Sequence, residues 1–571
     1  MAPIVVVLVV AICLGLFVLR RRLLALALGF APPRYGVVVE RGVKIPMPDG
    51  VELVADRYSP RNGGRFPTVL IRTPYDRRSL SLLVRFMAER GYHVVVQDVR
   101  GRFDSGGEFE PFVNEAADGR ATVGWLEAQP WFDGSLATWG LSYLGYVQFA
   151  IAPDAPRSLK AIQPIFVGPE TFSVTHQDGA FNLDLRLRAL HATHFKSRFK
   201  ALSGPQKLSA LVSYFAGREA DKVRKAVAHL PLIEADEIVL GQPARSYRDQ
   251  ITHTEPDDEY WGPRNHRRRV GRIEARALLV AGWFDVYLRG VLDTYAELEA
   301  AGKRPYLTIG AWDHAHVGAV MESLREGLRW FDAHLKGDAG KLRRRPVRLW
   351  LMGAGQWIEL DRWPPPARAT RFCLRHGAAL SSEEPPAESE PDRYRYDPSD
   401  PTPAVGGASL DSANKCQRDN RELEARSDVL CYSTAPLADN LDLIGPVRLE
   451  LYVSSSLAHT DFFGRLCDVD ARGRSRNVCD GLVRVAPGRG ERQPDGSLRL
   501  EVDLWATAYR FAKGHRLRLQ VSSGAHPRWT RNLGTGEPIA TGTRMEAADQ
   551  VVFHDAAHPS ALVVPVVVER R

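Results

Sequence analysis

The chain has 571 residues, of which 44% are hydrophobic and 25% charged, a balance that excludes wholesale disorder. Because one core does not keep growing to this length, we expect two or three structural units. The net charge of +8 reflects 76 basic against 68 acidic side chains, and the basic residues form only short, separated clusters, so nucleic acid is not an expected partner.

The first predicted element is an apolar segment. Residues 2–19 carry no charge, and as a helix rising ~1.5 Å per residue they nearly cross a hydrocarbon core about 30 Å thick. Arginines follow at 20–22, whereas a secretory signal carries its positive charge before the apolar run. We therefore predict a membrane anchor, with the body cytoplasmic by the positive-inside rule and export as the alternative. The next apolar stretch, 23–30, is too short to span and is interpreted as interfacial or as a linker.

From residue 35 the pattern changes to short runs rich in β-branched residues. Such runs are typical of strands covered on both faces, as in a parallel sheet. Amphipathic segments at 80–90 and 291–301 are long enough for crossover helices. The sequence therefore predicts an α/β domain whose strands lie at 66–72, 93–97, 136–139, 277–281 and 306–309.

The strand pattern lapses in the middle of the chain and changes again towards its end. Segments 183–202 and 208–230 read as helices, which indicates a helical insertion, or cap, within the α/β domain. Alternating strands follow, at 347–351, 447–453, 498–502 and 516–521, and favour a β-sandwich. The predicted organisation is anchor and linker 1–34, α/β domain 35–168 and 270–345, cap 169–269, and sandwich 346–571.

Residues 139–145 read Trp-Gly-Leu-Ser-Tyr-Leu-Gly and follow directly after a predicted strand. This is the context of a nucleophile elbow, in which a sharp turn from strand to helix exposes the serine hydroxyl. The second glycine of the usual G-x-S-x-G pattern stands one residue late, at Gly145. We predict Ser142 as a nucleophile, with an ordinary glycine-bounded turn as the alternative.

A serine hydroxyl needs a histidine base and a carboxylate that orients the imidazole, in the chain order Ser, acid, His for this fold. Asp285 and His314 each follow a predicted strand, so they are expected at the carboxyl edge of the sheet together with Ser142. Asp313 remains open as the acid and His316 as the base, because both lie beside His314 in the sequence. The six cysteines have neither CxxC nor zinc-finger spacing, so we expect no metal and no cofactor.

Six motifs in order carry a resemblance to a known family. The chain resembles the CocE/NonD family of acyl hydrolases, which includes cocaine esterases, α-amino-acid ester hydrolases and X-Pro dipeptidyl-peptidases. The similarity covers residues 36–571 and rests on the motifs at 72–75, 97–102, 129–131, 140–145, 282–285 and 312–314. It implies an α/β-hydrolase domain with a helical cap and a C-terminal jelly roll. It also places the second elbow glycine where Gly145 stands.

The same resemblance implies residue roles. Ser142 is then the nucleophile, Asp285 the acid and His314 the base, while the Tyr75 hydroxyl and the Tyr143 backbone N–H form the oxyanion hole. Residues near these motifs are predicted to line the substrate pocket: Trp283, Phe284, Tyr287 and Trp312.

The chain also departs from the family pattern. Relatives that act on α-amino acyl groups keep carboxylates beside the catalytic acid to hold an ammonium, whereas here Val-Tyr-Leu follows Asp285. We therefore expect an uncharged acyl pocket. An apolar N-terminal span does not belong to the family pattern either.

These observations predict a serine hydrolase that cleaves a carboxylic ester of a small molecule through an acyl-enzyme. An X-Pro dipeptidyl-peptidase or another amide hydrolase with the same groups is the alternative within this chemistry. An inactive binding protein that uses its jelly roll is the alternative from another class. The sequence does not specify the oligomeric state.

Overall fold

The computed structural model of the chain describes residues 21–23, 25–215 and 218–567. Within these ranges, ten strands form the first sheet, which is antiparallel at its two edges and parallel between them. The central strands are buried on both faces, as their β-branched runs predict. In spatial order the strands are Val37–Pro46, Glu52–Pro60, His93–Asp98, Phe66–Thr73, Phe132–Leu141, Leu159–Ile165, Arg276–Gly282, Tyr306–Gly310, Val347–Leu351 and Gln356–Leu360.

Helices connect the parallel strands, as crossover connections must. Their apolar faces pack on the two sides of the sheet and complete two cores. The helices are Ser81–Ala88, Glu115–Glu127, Tyr143–Ile151, Leu288–Ala300 and Val317–Leu335.

The cap is inserted between the strands Leu159–Ile165 and Arg276–Gly282. It has its own small core, in which Leu183, Leu187, Val223 and Tyr247 are buried. Its elements are the helices Phe172–Thr175, Leu183–Ala201, Gly204–Phe215, Arg218–Ala228, Ala235–Leu240 and Arg245–Thr252 and the strand pair His176–Gln177 and Ala180–Phe181.

The remainder of the chain is a β domain with a short helix, Arg421–Glu424. Alternating residues of its long strands point into a shared core, which gives the period of two seen in the sequence. The strands are Arg368–Arg375, Ala379–Ser381, Asp392–Tyr396, Leu430–Ser433, Leu441–Ser455, Thr460–Val469, Ser475–Val485, Glu491–Arg492, Leu498–Phe511, Arg516–Ser522, Ala548–Phe553 and Ala561–Val566. The predicted fold class, an α/β-hydrolase domain with a cap and a C-terminal β domain, is confirmed.

One predicted strand belongs to the other sheet. Val347–Leu351 was expected in the C-terminal sandwich because its residues alternate, but it pairs in parallel with Tyr306–Gly310 of the first sheet. Gln356–Leu360 then pairs with it antiparallel and forms the edge. A strand near an edge has one partly exposed face, so it shows the same alternation as a sandwich strand.

The membrane-anchored localisation expected from the sequence is contradicted. No helix within the described ranges is long and apolar enough to cross a bilayer, and residues 2–19 lie outside those ranges. Of the segment predicted as interfacial or as a linker, 23–30, the described residues 25–30 pack on the hydrolase domain, while Leu26 stays exposed. Ala25 and Phe30 are buried, the Phe30 ring lies 5.1 Å from that of Phe86, and Arg325 donates to the carbonyl of Leu28 at 3.3 Å.

Candidate active site

Ser142 occupies a sharp turn between the strand Phe132–Leu141 and the helix Tyr143–Ile151. Its backbone has φ 57° and ψ −122°, a conformation that non-glycine residues rarely adopt, and its N–H donates to the Ile165 carbonyl at 2.8 Å. A Cβ added at Gly145 would lie 2.5 Å from Val167, so this glycine lets the helix approach the neighbouring strand. The local geometry is that of a nucleophile elbow.

A chain of hydrogen bonds links three residues that are far apart in the sequence. His314 Nε2 lies 3.0 Å from Ser142 Oγ, and His314 Nδ1 lies 2.7 Å from Asp285 Oδ2. Asp285 is completely buried, and its other oxygen accepts the backbone N–H of Tyr287 at 2.8 Å. Because both carboxylate oxygens are engaged, Asp285 can fix the imidazole orientation, and His314 can take a proton from Ser142.

The two residues left open as alternative acid and base, Asp313 and His316, make contacts with other groups. Asp313 forms an ion pair with Lys415 of the β domain at 2.8 Å and points away from His314 Nδ1. His316 caps the helix Val317–Leu335, where its ring accepts the N–H of Ala319. The structure therefore brings Asp285 and His314, and neither of these alternatives, to Ser142.

Two donors face the region of Ser142 Oγ. The Tyr75 side chain lines the cavity beside Ser142, and burial, reinforced by Tyr287, raises the pKa of Tyr75 to about 12, so the phenol keeps its proton. The backbone N–H of Tyr143 is the first of its helix and has no intrahelical acceptor. The Tyr143 hydroxyl is held elsewhere, since it donates to Glu115 at 2.7 Å and accepts the N–H of Phe112.

The carboxyl edge of the first sheet, where Ser142 and His314 lie, forms a rim beneath the cap. A cavity of about 920 Å³ opens between this rim and the cap, and Ser142, His314, Tyr75 and Tyr143 line it. Of the pocket residues predicted from the sequence, Tyr287 also lines it, with its ring 5.3 Å from that of His314.

The other three predicted pocket residues belong to the core. Trp283 donates from its indole to the Trp350 carbonyl at 2.8 Å, Phe284 is buried, and Trp312 packs 5.7 Å from Trp357. The prediction placed these three rings in the pocket because they are close to Asp285 and His314 in the sequence. In the structure, the turns that follow the strands Arg276–Gly282 and Tyr306–Gly310 direct the rings into the core instead.

The cavity wall contains a charged side chain that the expectation of an uncharged acyl pocket did not include. The cap helix Leu183–Ala201 contributes Arg186 to the cavity wall, and the guanidinium is buried. Sequence reasoning missed this residue, because an arginine on a predicted cap helix is usually solvated and its neighbours Leu185 and Leu187 lie on other faces of the helix.

Glu115 was missed as well. It lies below the rim, where it holds the Tyr143 hydroxyl and forms an ion pair with Arg72 at 2.7 Å. No signal in the single sequence connects residue 115 with the elbow. In the described part of the chain, no group of three or more histidine, cysteine or acidic side chains has the arrangement of a metal site.

Comparison with known proteins identifies relatives over nearly the whole chain. The family model X-Pro dipeptidyl-peptidase (S15 family) matches residues 49–316, and that of the X-Pro dipeptidyl-peptidase C-terminal non-catalytic domain matches 340–563. The chain is 32% identical to cocaine esterase of Rhodococcus sp. (strain MB1 Bresler), in a match that covers 93% of this chain and 98% of that protein.

Two solved structures share the fold. An aminopeptidase from a marine sediment archaeon, Thaumarchaeota archaeon, has a TM-score of 0.77 at 22% identity and covers 94% of this chain and 97% of its own. An α-amino acid ester hydrolase has a TM-score of 0.71 at 22% identity, with coverages of 94% and 98%. The match to cocaine esterase over 93% of this chain and the two matched family models show that the chain belongs to the CocE/NonD family of X-Pro dipeptidyl-peptidase-like serine hydrolases.

Proposed function

We propose that the protein hydrolyses carboxylic esters through an acyl-enzyme formed on Ser142. The observation that carries this proposal is the unbroken hydrogen-bond chain from Ser142 through His314 to Asp285, at 3.0 and 2.7 Å. The relatedness to cocaine esterase over 93% of the chain supports an ester as substrate.

In the first half-reaction, Ser142 Oγ attacks the carbonyl carbon while its proton passes to His314 Nε2. The carbonyl oxygen becomes an oxyanion, which the Tyr75 hydroxyl and the Tyr143 N–H stabilise by hydrogen bonds. When the bond to the alkoxy oxygen breaks, His314 returns the proton to that oxygen and the alcohol leaves. The acyl group is now bonded to Ser142 Oγ.

In the second half-reaction, a water molecule gives a proton to His314 and attacks the acyl carbon. The tetrahedral intermediate collapses, the bond to Ser142 Oγ breaks, and His314 protonates the serine oxygen. The products are a carboxylic acid and the free enzyme. Asp285 holds the imidazole in place and stabilises the imidazolium that forms in each half-reaction.

Hydrolysis of an X-Pro peptide is the second candidate, because the S15 family model matches residues 49–316. Such a substrate presents an α-ammonium, which a cavity carboxylate must bind. Glu110 and Asp249 line the cavity but are paired with Arg264 at 2.8 Å and Arg245 at 3.4 Å, and Glu108 is exposed. These contacts favour the ester.

The test is a series of 4-nitrophenyl acyl esters beside a Gly-Pro 4-nitroanilide, each with wild type and Ser142→Ala. We expect turnover of at least one ester by wild type, little or none of the anilide, and no turnover by the variant. Faster cleavage of the anilide would support the peptidase instead. Equal rates for wild type and Ser142→Ala would support the inactive binding protein.

A further inference from the structure

Arg186 is a buried cation without a partner in a cavity that already contains the reacting groups. Its side chain belongs to a residue that is 8% exposed and lines the cavity together with Ser142 and His314. Among the residues that the structure describes, none offers a hydrogen-bond acceptor to its Nε or its Nη2. A buried unsatisfied charge is costly, and each such group in a native protein requires an explanation.

The carboxylate that lies in the surroundings of Arg186 is engaged elsewhere. Glu170 interacts with Arg186 electrostatically, and no hydrogen bond joins the two side chains in the described part of the chain. Both Glu170 oxygens accept from Ser173, one from the backbone N–H at 3.0 Å and the other from the hydroxyl. Burial lowers the pKa of Arg186, but an arginine remains charged in proteins, so the positive charge stays in the cavity wall.

The two unsatisfied atoms have a specific geometry. The Nε–H and one Nη2–H of a guanidinium are parallel, and this edge binds the two oxygens of a carboxylate side by side. Arg186 therefore lacks partners for the pair of donors that together recognise a carboxylate.

Other cationic side chains of the cavity wall add to the positive charge of Arg186. Lys196 lies with its ammonium 4.8 Å from the centre of the Tyr75 ring. Among the described residues, Arg102 donates hydrogen bonds to two neutral groups, the Pro74 carbonyl and the Ser197 hydroxyl. The acids Glu110 and Asp249 are neutralised by arginines, as described above. The field within the cavity thus attracts anions.

We propose that Arg186 binds a carboxylate group of the substrate, so that the enzyme acts on esters that carry a carboxylate on the acyl or the alcohol side of the scissile bond. This inference rests on the proposed ester hydrolysis at Ser142, and it names the substrate class of that site. The substrate carboxylate supplies the two acceptors that the protein does not, and it holds the ester carbonyl against Ser142.

The experiment compares matched pairs of esters. In the acyl arm, 4-nitrophenyl hydrogen glutarate is compared with 4-nitrophenyl valerate; in the alcohol arm, the butyrate of 3-carboxy-4-nitrophenol is compared with 4-nitrophenyl butyrate. In at least one of the two arms, we expect the wild-type kcat/KM to be roughly 10²-fold higher for the ester that carries the carboxylate. This ratio corresponds to the free energy that hydrogen bonds to a charged group typically contribute. Arg186→Gln should reduce that ratio to near one.

Arg245→Gln is the matched control, since it removes the same charge from the cavity wall at a side chain that is 86% exposed and paired with Asp249. It should lower the wild-type ratio by no more than about fivefold, because losing this exposed pair weakens the field in the cavity while both Arg186 donors remain. Thermal melting of Arg186→Gln should give a Tm no lower than that of wild type, because an unpaired buried charge is removed. A Tm lower by several degrees would assign Arg186 a structural role instead.

Binding to Ser142→Ala separates this inference from the proposed function. Calorimetry should show that 4-nitrophenyl hydrogen glutarate or the 3-carboxy-4-nitrophenyl butyrate binds Ser142→Ala at least tenfold more tightly than Ser142→Ala/Arg186→Gln. If wild type hydrolyses no ester but this difference is found, the proposed function fails and the carboxylate site stands. If esters are hydrolysed but neither arm shows a preference or a binding difference, the carboxylate site is refuted.

Discussion

On the sheet side of the cavity, each polar group of the reacting residues has a partner within the protein. Asp285 binds His314 and the Tyr287 N–H, and His314 binds Ser142. On the cap side, two donors of Arg186 have no partner among the described residues. The difference teaches that groups which perform the same chemistry on every substrate are preorganised by the fold, whereas a group that selects the substrate is completed by it.

The largest expected effect on kcat comes from substituting the reacting residues on the sheet side of the cavity. Ser142→Ala and His314→Ala should each lower kcat by about 10⁴-fold or more, because proton transfer and covalent attack act as a unit. His316→Ala should keep kcat within about tenfold, since His316 only caps a helix. Steady-state kinetics with circular dichroism as a folding control measure both. An inactive His316→Ala beside an active His314→Ala would reverse the assignment.

The oxyanion donor should give an intermediate effect. Tyr75→Phe removes only the hydroxyl proposed to stabilise the oxyanion, so kcat should fall by about 10²–10³-fold with little change in KM. A phenol with its pKa near 12 stays protonated at neutral pH, so the effect should not change between pH 7 and 9. A kcat within about threefold of wild type, with reduced thermal stability, would mean that Tyr75 only packs beside Pro74.

The smallest effect concerns stability and comes from three buried histidines, one in the hydrolase domain and two in the segment 169–269 that contains the cap. Burial lowers the pKa of His93, His176 and His266 from 6.5 to about 4, so each is neutral in the fold at pH 5 but protonated when unfolded. Their contribution is fully present above pH 6.5 and is lost as the pH falls towards 4, at up to about 1.4 kcal/mol per unit and residue.

Urea unfolding of the enzyme at pH 7 and pH 5 measures this loss. The midpoint should be lower at pH 5, and His266→Gln, whose Nε2 has no partner among the described residues, should reduce the difference. Equal midpoints of wild type at the two pH values would contradict the assignment of these histidines as neutral.

The sequence predicted the sheet side better than the cap side for a physical reason. Strands of a parallel sheet end at one edge, so motifs that follow strands converge there, and this position predicted Ser142, Asp285 and His314 as neighbours while leaving Asp313 and His316 as alternatives. Strand alternation alone did not distinguish an edge strand of the first sheet from a sandwich strand, and Val347–Leu351 was assigned to the wrong sheet.

The cap could be predicted only as helical. A lone arginine on a helix is usually solvated, and the burial of Arg186 depends on how the cap packs over the rim, which periodicity does not encode. Trp283 and Trp312 were misplaced for a related reason, since the turn after a strand decides which side chains face the cavity.

The most direct test of the central claim, that Ser142 is an activated nucleophile, is labelling with a fluorophosphonate probe followed by peptide mass spectrometry. An activated serine reacts with such a probe and a structural serine does not. We predict one label per chain, on the peptide that contains Ser142, and no label in Ser142→Ala or after prior incubation with a turned-over ester in excess. Absence of labelling, or a label on another serine that persists in Ser142→Ala, would contradict the account.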